Sequence, residues 1–246
     1  MTPKDCFREH PILFSAPMVR AILDGLKTQT RRVVRLNDAG RVARAGKQWH
    51  PDDPDAVLAC PFGQPGDRLW VRETCRAEEL ESGLDGVRYV ADRAFMGIKN
   101  TQEAEWAWAD LNAYRGKGGA VVPAIHMPRW ASRITLEVTG VRMERLQDIS
   151  EADATAEGAR AVPWGTWWQG YQDLGDMDLI HQEARGEAPP EWMIEPKRMK
   201  DRPWLDRSAV AEFRTLWESI NGAGNWDANP WVWVVEFRRI DHGDVA

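Results

Sequence analysis

The run Gly25-Leu26-Lys27-Thr28-Gln29-Thr30-Arg31-Arg32 follows directly on Pro17-Met18-Val19-Arg20-Ala21-Ile22-Leu23-Asp24. The first eight residues predict a short helix. Proline stands near its first turn, and Met18, Ile22 and Leu23 form an apolar stripe at helical spacing. Gly25 stands where a left-handed C-terminal cap is wanted. Lys27 and Thr30 therefore leave a helix end and enter the next element from a fixed point. A site can be built this way, and so can an ordinary helix-to-strand corner.

Outward from this corner, three stretches alternate as strands do. In Asp67–Thr74, Leu69 and Val71 fall on one face and Trp70 and Arg72 on the other, with Gly63-Gln64-Pro65-Gly66 as a turn before them. In Ser132–Thr139, Ile134, Leu136 and Val138 point inward. In Trp231–Ile240, Trp231, Trp233, Val235 and Phe237 share one side and Val232, Val234 and Glu236 the other, so part of this strand is expected to be covered on both faces. A helix is expected over Arg207–Asn221, with Val210, Phe213, Leu216, Trp217 and Ile220 at helical spacing, Ser208 as cap and Gly222 as stop. Short strands without regular strand–helix alternation predict an α+β fold, a small curved β-barrel with peripheral helices and not a doubly wound sheet. Three stretches, at about 37–65, 78–122 and 163–203, read as insertions or long loops within one domain spanning 1–246. The last is rich in tryptophan (Trp164, Trp167, Trp168 and Trp192, with Trp204 directly after it), and all three are expected to fold onto the barrel as lids or walls.

Composition narrows the function classes. No window approaches the roughly 18 consecutive apolar residues of a membrane span, and the first residues lack the apolar core of a signal peptide, so a cytoplasmic protein with no membrane partner is expected. Three cysteines, Cys6, Cys60 and Cys75, form no Cys-x-x-Cys pair and no disulfide framework. A zinc site would have to gather scattered ligands such as His50 and His126, so no metal or cofactor is expected. The formal charge of −6 argues against a protein that coats long nucleic acid. The local basic run Arg31, Arg32, Arg35, Arg41 and Arg44 fits a pocket for one nucleotide or a short strand. The 14 tryptophans supply stacking platforms or core anchors, and most are expected to be anchors.

Asp148–Gly158 predicts a short helix with Ser150 as N-cap, Asp153 answering it, and Gly158 as stop. Glu157 falls in its last turn, where the helix dipole disfavours a negative charge. Screened from water, a carboxyl there is a candidate proton donor; left in water, it is a solvated glutamate at a frayed end. Lys27 and Thr30 would point to opposite faces of a regular strand. If a turn or the lysine stem brings amine and hydroxyl together, cationic neighbours favour a neutral lysine able to activate threonine as nucleophile. His126, Arg129 and Trp130 sit on a loop at the strand ends, where arginine can pair with phosphate and tryptophan stack on a base, or Trp130 can plug the barrel end. Glu73 either faces the same cavity or forms a cross-strand ion pair.

Gly25-x-Lys27-x-x-x-x-Arg32, then Gly66-Asp67 opening a strand, Glu157-Gly158 closing a short helix, and a strand ending in Val235-Glu236-Phe237 together resemble the ASCH domain family. Cys60–Glu73 and His126–Arg133 look like the larger bacteriophage and prophage members, a similarity running from about Ile12 to Ile240. The resemblance implies a PUA-like fold and a link to RNA and nucleosides. Small bacterial members hydrolyse N4-acetylcytidine with a lysine as proton acceptor, a threonine as nucleophile and a glutamate as proton donor. Lys27 and Thr30 match the lysine and threonine in register and Glu157 matches the glutamate by its short acidic helix, as catalytic residues; Arg32, Glu73, His126, Arg129 and Trp130 are the substrate-binding candidates. The implied partner is a nucleoside, a nucleotide or a short single strand, in a bacterial host's cytoplasm if the protein is phage-encoded. Relatives that bind or cleave RNA keep a non-catalytic reader and a ribonuclease open, and a phage assembly factor with a vestigial pocket is a further alternative.

Overall fold

In the computed structural model the described residues are 7–160, 166–170, 179–183 and 208–240. The chain divides into two compact units, one formed by Met1–Arg145 with Trp231–Ala246 and the other by Leu146–Pro230. The first contains β1 (Glu9–Leu13), α1 (Ala16–Leu23), β2 (Gln29–Val33), β3 (Val42–Arg44), β4 (Lys47–Trp49), β5 (Arg68–Arg72), β6 (Cys75–Glu79), β7 (Asp85–Tyr89), β8 (Phe95–Gly97), α2 (Gln102–Asn112) and β9 (Thr135–Arg145). The second contains α3 (Glu151–Ala156), β10 (Thr166–Gly170), β11 (Leu179–Glu183) and α4 (Ala209–Asn221), after which β12 (Trp231–Ile240) returns to the first. The fold is mixed α+β.

The main sheet of the first unit has the order β1-β5-β9-β12-β2. β1 runs parallel to β5, and the other neighbours are antiparallel. β1 and β2 are its two edges, so the sheet is open, where the sequence led us to expect a closed barrel. The chain between those edges forms α1, whose Val19 and Ile22 enter the same core as Ile12, Leu69 and Val235. Helix packing therefore covers the core where a closing strand ladder was expected. Burying side chains of this size contributes roughly 1.5–3 kcal/mol each.

A β-bulge shapes the centre of the sheet. β12 pairs Glu236 with Gly140 but Phe237 with Val138, leaving Thr139 as an extra residue on β9. Leu136 and Val138 on one side of the bulge, and Val141 and Met143 on the other, consequently all reach one core despite the broken alternation. Part of β12 is buried on both faces, as its sequence predicts: Trp233, Val235 and Phe237 lie in the core, Val232 and Val234 are fully buried on the opposite face, and Arg238 and Arg239 beyond them are exposed.

Two of the expected long loops carry regular structure. Within 37–65, β3 and β4 form a hairpin followed by a 3-10 turn at Pro54–Ala59. Within 78–122, β6, β7 and β8 make a second sheet over which α2 packs, its Trp108 indole donating to the Gly86 carbonyl at 2.8 Å. Cys75, Val87, Tyr89, Leu111 and Val122 form a core of their own there. α2 escapes sequence reading because its exposed Trp106 and acidic first turn leave it little apolar periodicity. Of the 163–203 stretch only the β10–β11 pairing is described; Trp164, Trp192 and Trp204, like Cys6, lie outside the described residues.

In the second unit Ser150 caps α3, its hydroxyl accepting from the Asp153 amide at 3.1 Å and lying 2.9 Å from the Asp153 carboxylate. The neighbouring Glu151 carboxylate accepts the Ala209 amide at 2.8 Å, placing a negative charge on the N-terminus of α4, whose dipole favours it. α4 begins at Ala209, two residues after its expected start, because Ser208 caps it through the Ala211 amide. Phe213 meets Trp217 and Trp226 at ring separations of 6.0 and 6.3 Å. No helix among the described residues is long and apolar enough to cross a membrane.

Candidate functional site

Helix α1 ends in a Schellman motif, and this motif aims Lys27. Gly25 adopts φ +71°. Its amide donates to Ile22, and the Leu26 amide donates to Ala21 at 2.8 Å. The Lys27 amide shares the Ala21 carbonyl at 3.0 Å, so the backbone of Lys27 is tied to the helix before the strand begins. Its side chain is 2 % exposed, and Nζ lies 5.9 Å from the centroid of the Phe14 ring. Thr28 continues the ladder by accepting from the Phe237 amide, and Thr30 stands opposite Val235 on β12.

Strand alternation puts Thr30 and Arg32 on the core face of β2. The Arg32 guanidinium lies 5.3 Å from the same Phe14 ring and donates to the Leu13 carbonyl at 2.5 Å. Phe14 is thus a shared wall for the Lys27 amine and the Arg32 guanidinium, within the range where a ring face attracts cations. Thr30, between them in sequence, is 2 % exposed.

The opposite face of the same strands holds an ionic network that the sequence reading does not anticipate. Arg31, its side chain fully buried, donates to Gln29 at 2.7 Å and to Glu144 at 2.5 Å. Arg142 bridges Glu144, at 2.9 Å, and Glu236. Gly140 makes room for this, since a Cβ there would come within 2.7 Å of a Glu236 carboxylate oxygen. The available signal was alternation: Gln29-x-Arg31 on β2 and Arg142-x-Glu144 on β9 place complementary groups on one face.

Glu157 belongs to the second unit and is positioned by a motif of the same kind. The amide of Gly158 (φ +88°) donates to Thr155, and that of Ala159 donates to Ala154. This Schellman end leaves Glu157 as the C-cap of α3, and the residue is 3 % exposed. Among the described residues the buried polar side chains are Lys27, Gln29, Thr30, Arg31, Glu73, Ser132 and Glu157. All three residues matched to the catalytic positions are in that group.

Of the other candidates, Glu73, His126 and Trp130 lie by the second core of the first unit, and Arg129 lies by β1 and β5. Glu73 is buried and receives Arg133 through both carboxylate oxygens, at 2.8 and 2.9 Å, while Arg133 also holds Asp92 with two bonds. Burial pushes the Glu73 carboxyl up, partly offset by the pull of Arg133. Burial works against the Arg133 charge, but the carboxylates of Glu73 and then Asp92 outweigh it and raise the guanidinium above its ordinary value. The guanidinium also covers the Tyr89 ring at 3.9 Å, and the Tyr89 hydroxyl donates to Ala131. Glu73 therefore forms the ion-pair alternative weighed from sequence, with Arg133 as its partner. Arg129 is exposed and forms a two-point pair with Glu9 at 2.8 and 2.9 Å, lying over Trp70. His126 is exposed and meets Tyr114 at 5.6 Å, while Trp130 packs against the second core.

Burial raises the thiols of Cys60 and Cys75 to about 11 and about 12, which makes them inert as nucleophiles near neutrality. Among the described residues no group of three His, Cys, Asp or Glu side chains is placed to hold a metal ion. No protein-family profile, curated protein or solved structure matches the chain.

Proposed function

We propose that this protein is an ASCH-like protein with a PUA-like arrangement of its sheet, and that it takes an acylated nucleobase of the N4-acetylcytidine kind as substrate. One observation carries the reading. A lysine, a threonine and a glutamate matched by sequence order to a hydrolytic set are each withdrawn from water, at 2, 2 and 3 % exposure. Lysine and glutamate are almost never fully buried unless paired.

In this scheme the Lys27 amine accepts the proton of the Thr30 hydroxyl, and the Thr30 oxygen adds to the acyl carbonyl. As the tetrahedral adduct collapses the C–N bond breaks and a general acid protonates the departing exocyclic amine, the role that the ASCH resemblance implies for Glu157. Water then hydrolyses the Thr30 ester, releasing the acid and restoring the hydroxyl. Arg32, held against Phe14, supplies positive charge for the oxyanion.

The test is incubation with N4-acetylcytidine, with mass-spectrometric detection of cytidine. Lys27→Met, Thr30→Ala and Glu157→Gln should each lower turnover by at least a hundredfold while circular dichroism stays native. Unchanged turnover in Lys27→Met excludes the scheme. Saturable binding without product makes the protein a reader instead.

A further inference from the structure

The basic run noted in the sequence leads to a second location. Arg44 and Lys47 face each other across the tip of the β3–β4 hairpin, joined through Ala45 and Gly46 with φ of +50° and +79°. That is the tight turn in which both central residues take positive φ. Two features of it run against local stability. A non-glycine residue occupies a left-handed position, and two like charges stand directly opposite each other, a destabilising cross-strand pair. Local conflicts of this sort concentrate at functional sites.

The tip borders a cleft of about 290 Å³, also lined by Arg8, His10, Trp49 and Asp67. Some arginines of the unit, such as Arg76, Arg88, Arg129, Arg133, Arg142 and Arg238, pair with carboxylates, and others, such as Arg20 and Arg72, donate to backbone carbonyls. Among the described residues the side chains of Arg8, Arg44 and Lys47 form no close ion pair, although Arg8 acts on Asp67 electrostatically, and Arg44 donates to the Cys60 carbonyl.

The single carboxylate of the cleft is already engaged. Asp67 accepts the amides of Arg8 at 2.8 Å and Gln64 at 2.9 Å. The His10 Nε2 atom lies 3.7 Å from Asp67, buried and without a hydrogen-bond partner. A Cβ on Gly63 (φ +96°) would meet Asp67 at 2.8 Å and His10 at 3.0 Å, so this wall is tightly packed. Trp49 packs on the first core and still lines the cleft, offering an aromatic surface beside the cations.

We propose that this cleft binds a small phosphorylated molecule with a flat ring, of the nucleoside monophosphate class. The phosphate lies between Arg44, Lys47 and Arg8, relieving the like-charge pair, and the ring lies against Trp49. A volume of about 290 Å³ is at the small end of ligand pockets, which suits one nucleotide and not a polymer. The inference does not depend on the Lys27 scheme.

The experiment is a titration of the full chain followed by ¹H–¹⁵N NMR, with adenosine 5′-monophosphate, cytidine 5′-monophosphate, the two nucleosides and inorganic phosphate as probes. At least one monophosphate should shift the Trp49 indole and the Arg44–Lys47 amides, and bind at least tenfold more tightly than its nucleoside. Rising salt should weaken it, and the exposed-tip variant Arg44→Gln/Lys47→Gln should lose at least tenfold while keeping a native spectrum. Lys27→Met should leave this binding intact. Equal affinity for nucleoside and monophosphate, or unchanged affinity in the double variant, overturns the proposal. Phosphate binding as tightly as either monophosphate overturns the ring's part in it. Loss of binding in Lys27→Met together with retention in the double variant assigns the ligand to the other site and also overturns it.

Discussion

The backbone amide of Lys27 donates to the carbonyl of Ala21, 3.0 Å away, an acceptor it shares with Leu26. The lysine's starting point is therefore set by a helix end, and the helix end is set by Gly25. No atom lies within 4 Å of where a Gly25 Cβ would stand, so substitution there meets a conformational penalty and no clash. Gly25→Ala should destabilise by about 1–2 kcal/mol, and Gly25→Asn by less, because asparagine visits the left-handed region readily. Urea unfolding checks the order.

Gly86→Ala is a different kind of change. Its Cβ would come within 2.5 Å of the Met96 carbonyl oxygen and 2.3 Å of the Phe95 ring. β7 and β8 must part to admit it, costing about 1–3 kcal/mol or more. Hydrogen exchange should show protection lost in β6, β7 and β8, while β9 and β12 keep theirs.

Arg31→Ala removes the buried centre of the network between β2, β9 and β12. Breaking a buried ion pair by deleting one partner costs ~3–5 kcal/mol; here the low end is expected, since Glu144 keeps Arg142. Replacing both members, Arg31→Met with Glu144→Met, should recover part of that loss, and a double-mutant cycle in denaturant measures the coupling.

Glu78 should contribute to stability in a way that is lost on the acid side. Hydrogen bonds from Arg88, and then Arg76, hold its carboxyl down at about 2. Its folded value lies below its unfolded one, so the pair's contribution is fully present above the ordinary glutamate value. It falls away as pH drops through about 2. A ¹³C-detected titration of Glu78 checks this; a midpoint at the ordinary value removes the prediction.

Much of the first unit could be read from local sequence, because its signals are stereochemical. Gly25 and Gly158 stop helices where their neighbours predict, and the boundaries of β12 match its alternation. β9 shows where such reading fails. Alternation breaks at Thr139, which suggested a strand end, whereas the bulge there resets the phase and the strand continues to Arg145. Open versus closed sheet was likewise unreadable, since pairing between distant strands leaves no local mark.

Of the candidate residues, Lys27, Thr30 and Glu157 were conspicuous for chemical type at helix and strand boundaries, and their burial could not be foreseen from that. Glu73 was recognisable as a charged strand end, but its partner Arg133 is 60 residues away. The Arg44–Lys47 tip escaped notice because a like-charge pair becomes visible only once hairpin register is known.

β2 has a single neighbour in its sheet, β12, and the contact between Gln29 and Glu236 spans 207 residues. On a ribosome working at roughly 5–20 residues per second, β2 emerges tens of seconds before the strand that receives it. For that interval its backbone is an open template for any other chain. Charges such as those of Arg31 and Arg32, inside β2 itself, work against aggregation of an unpaired strand.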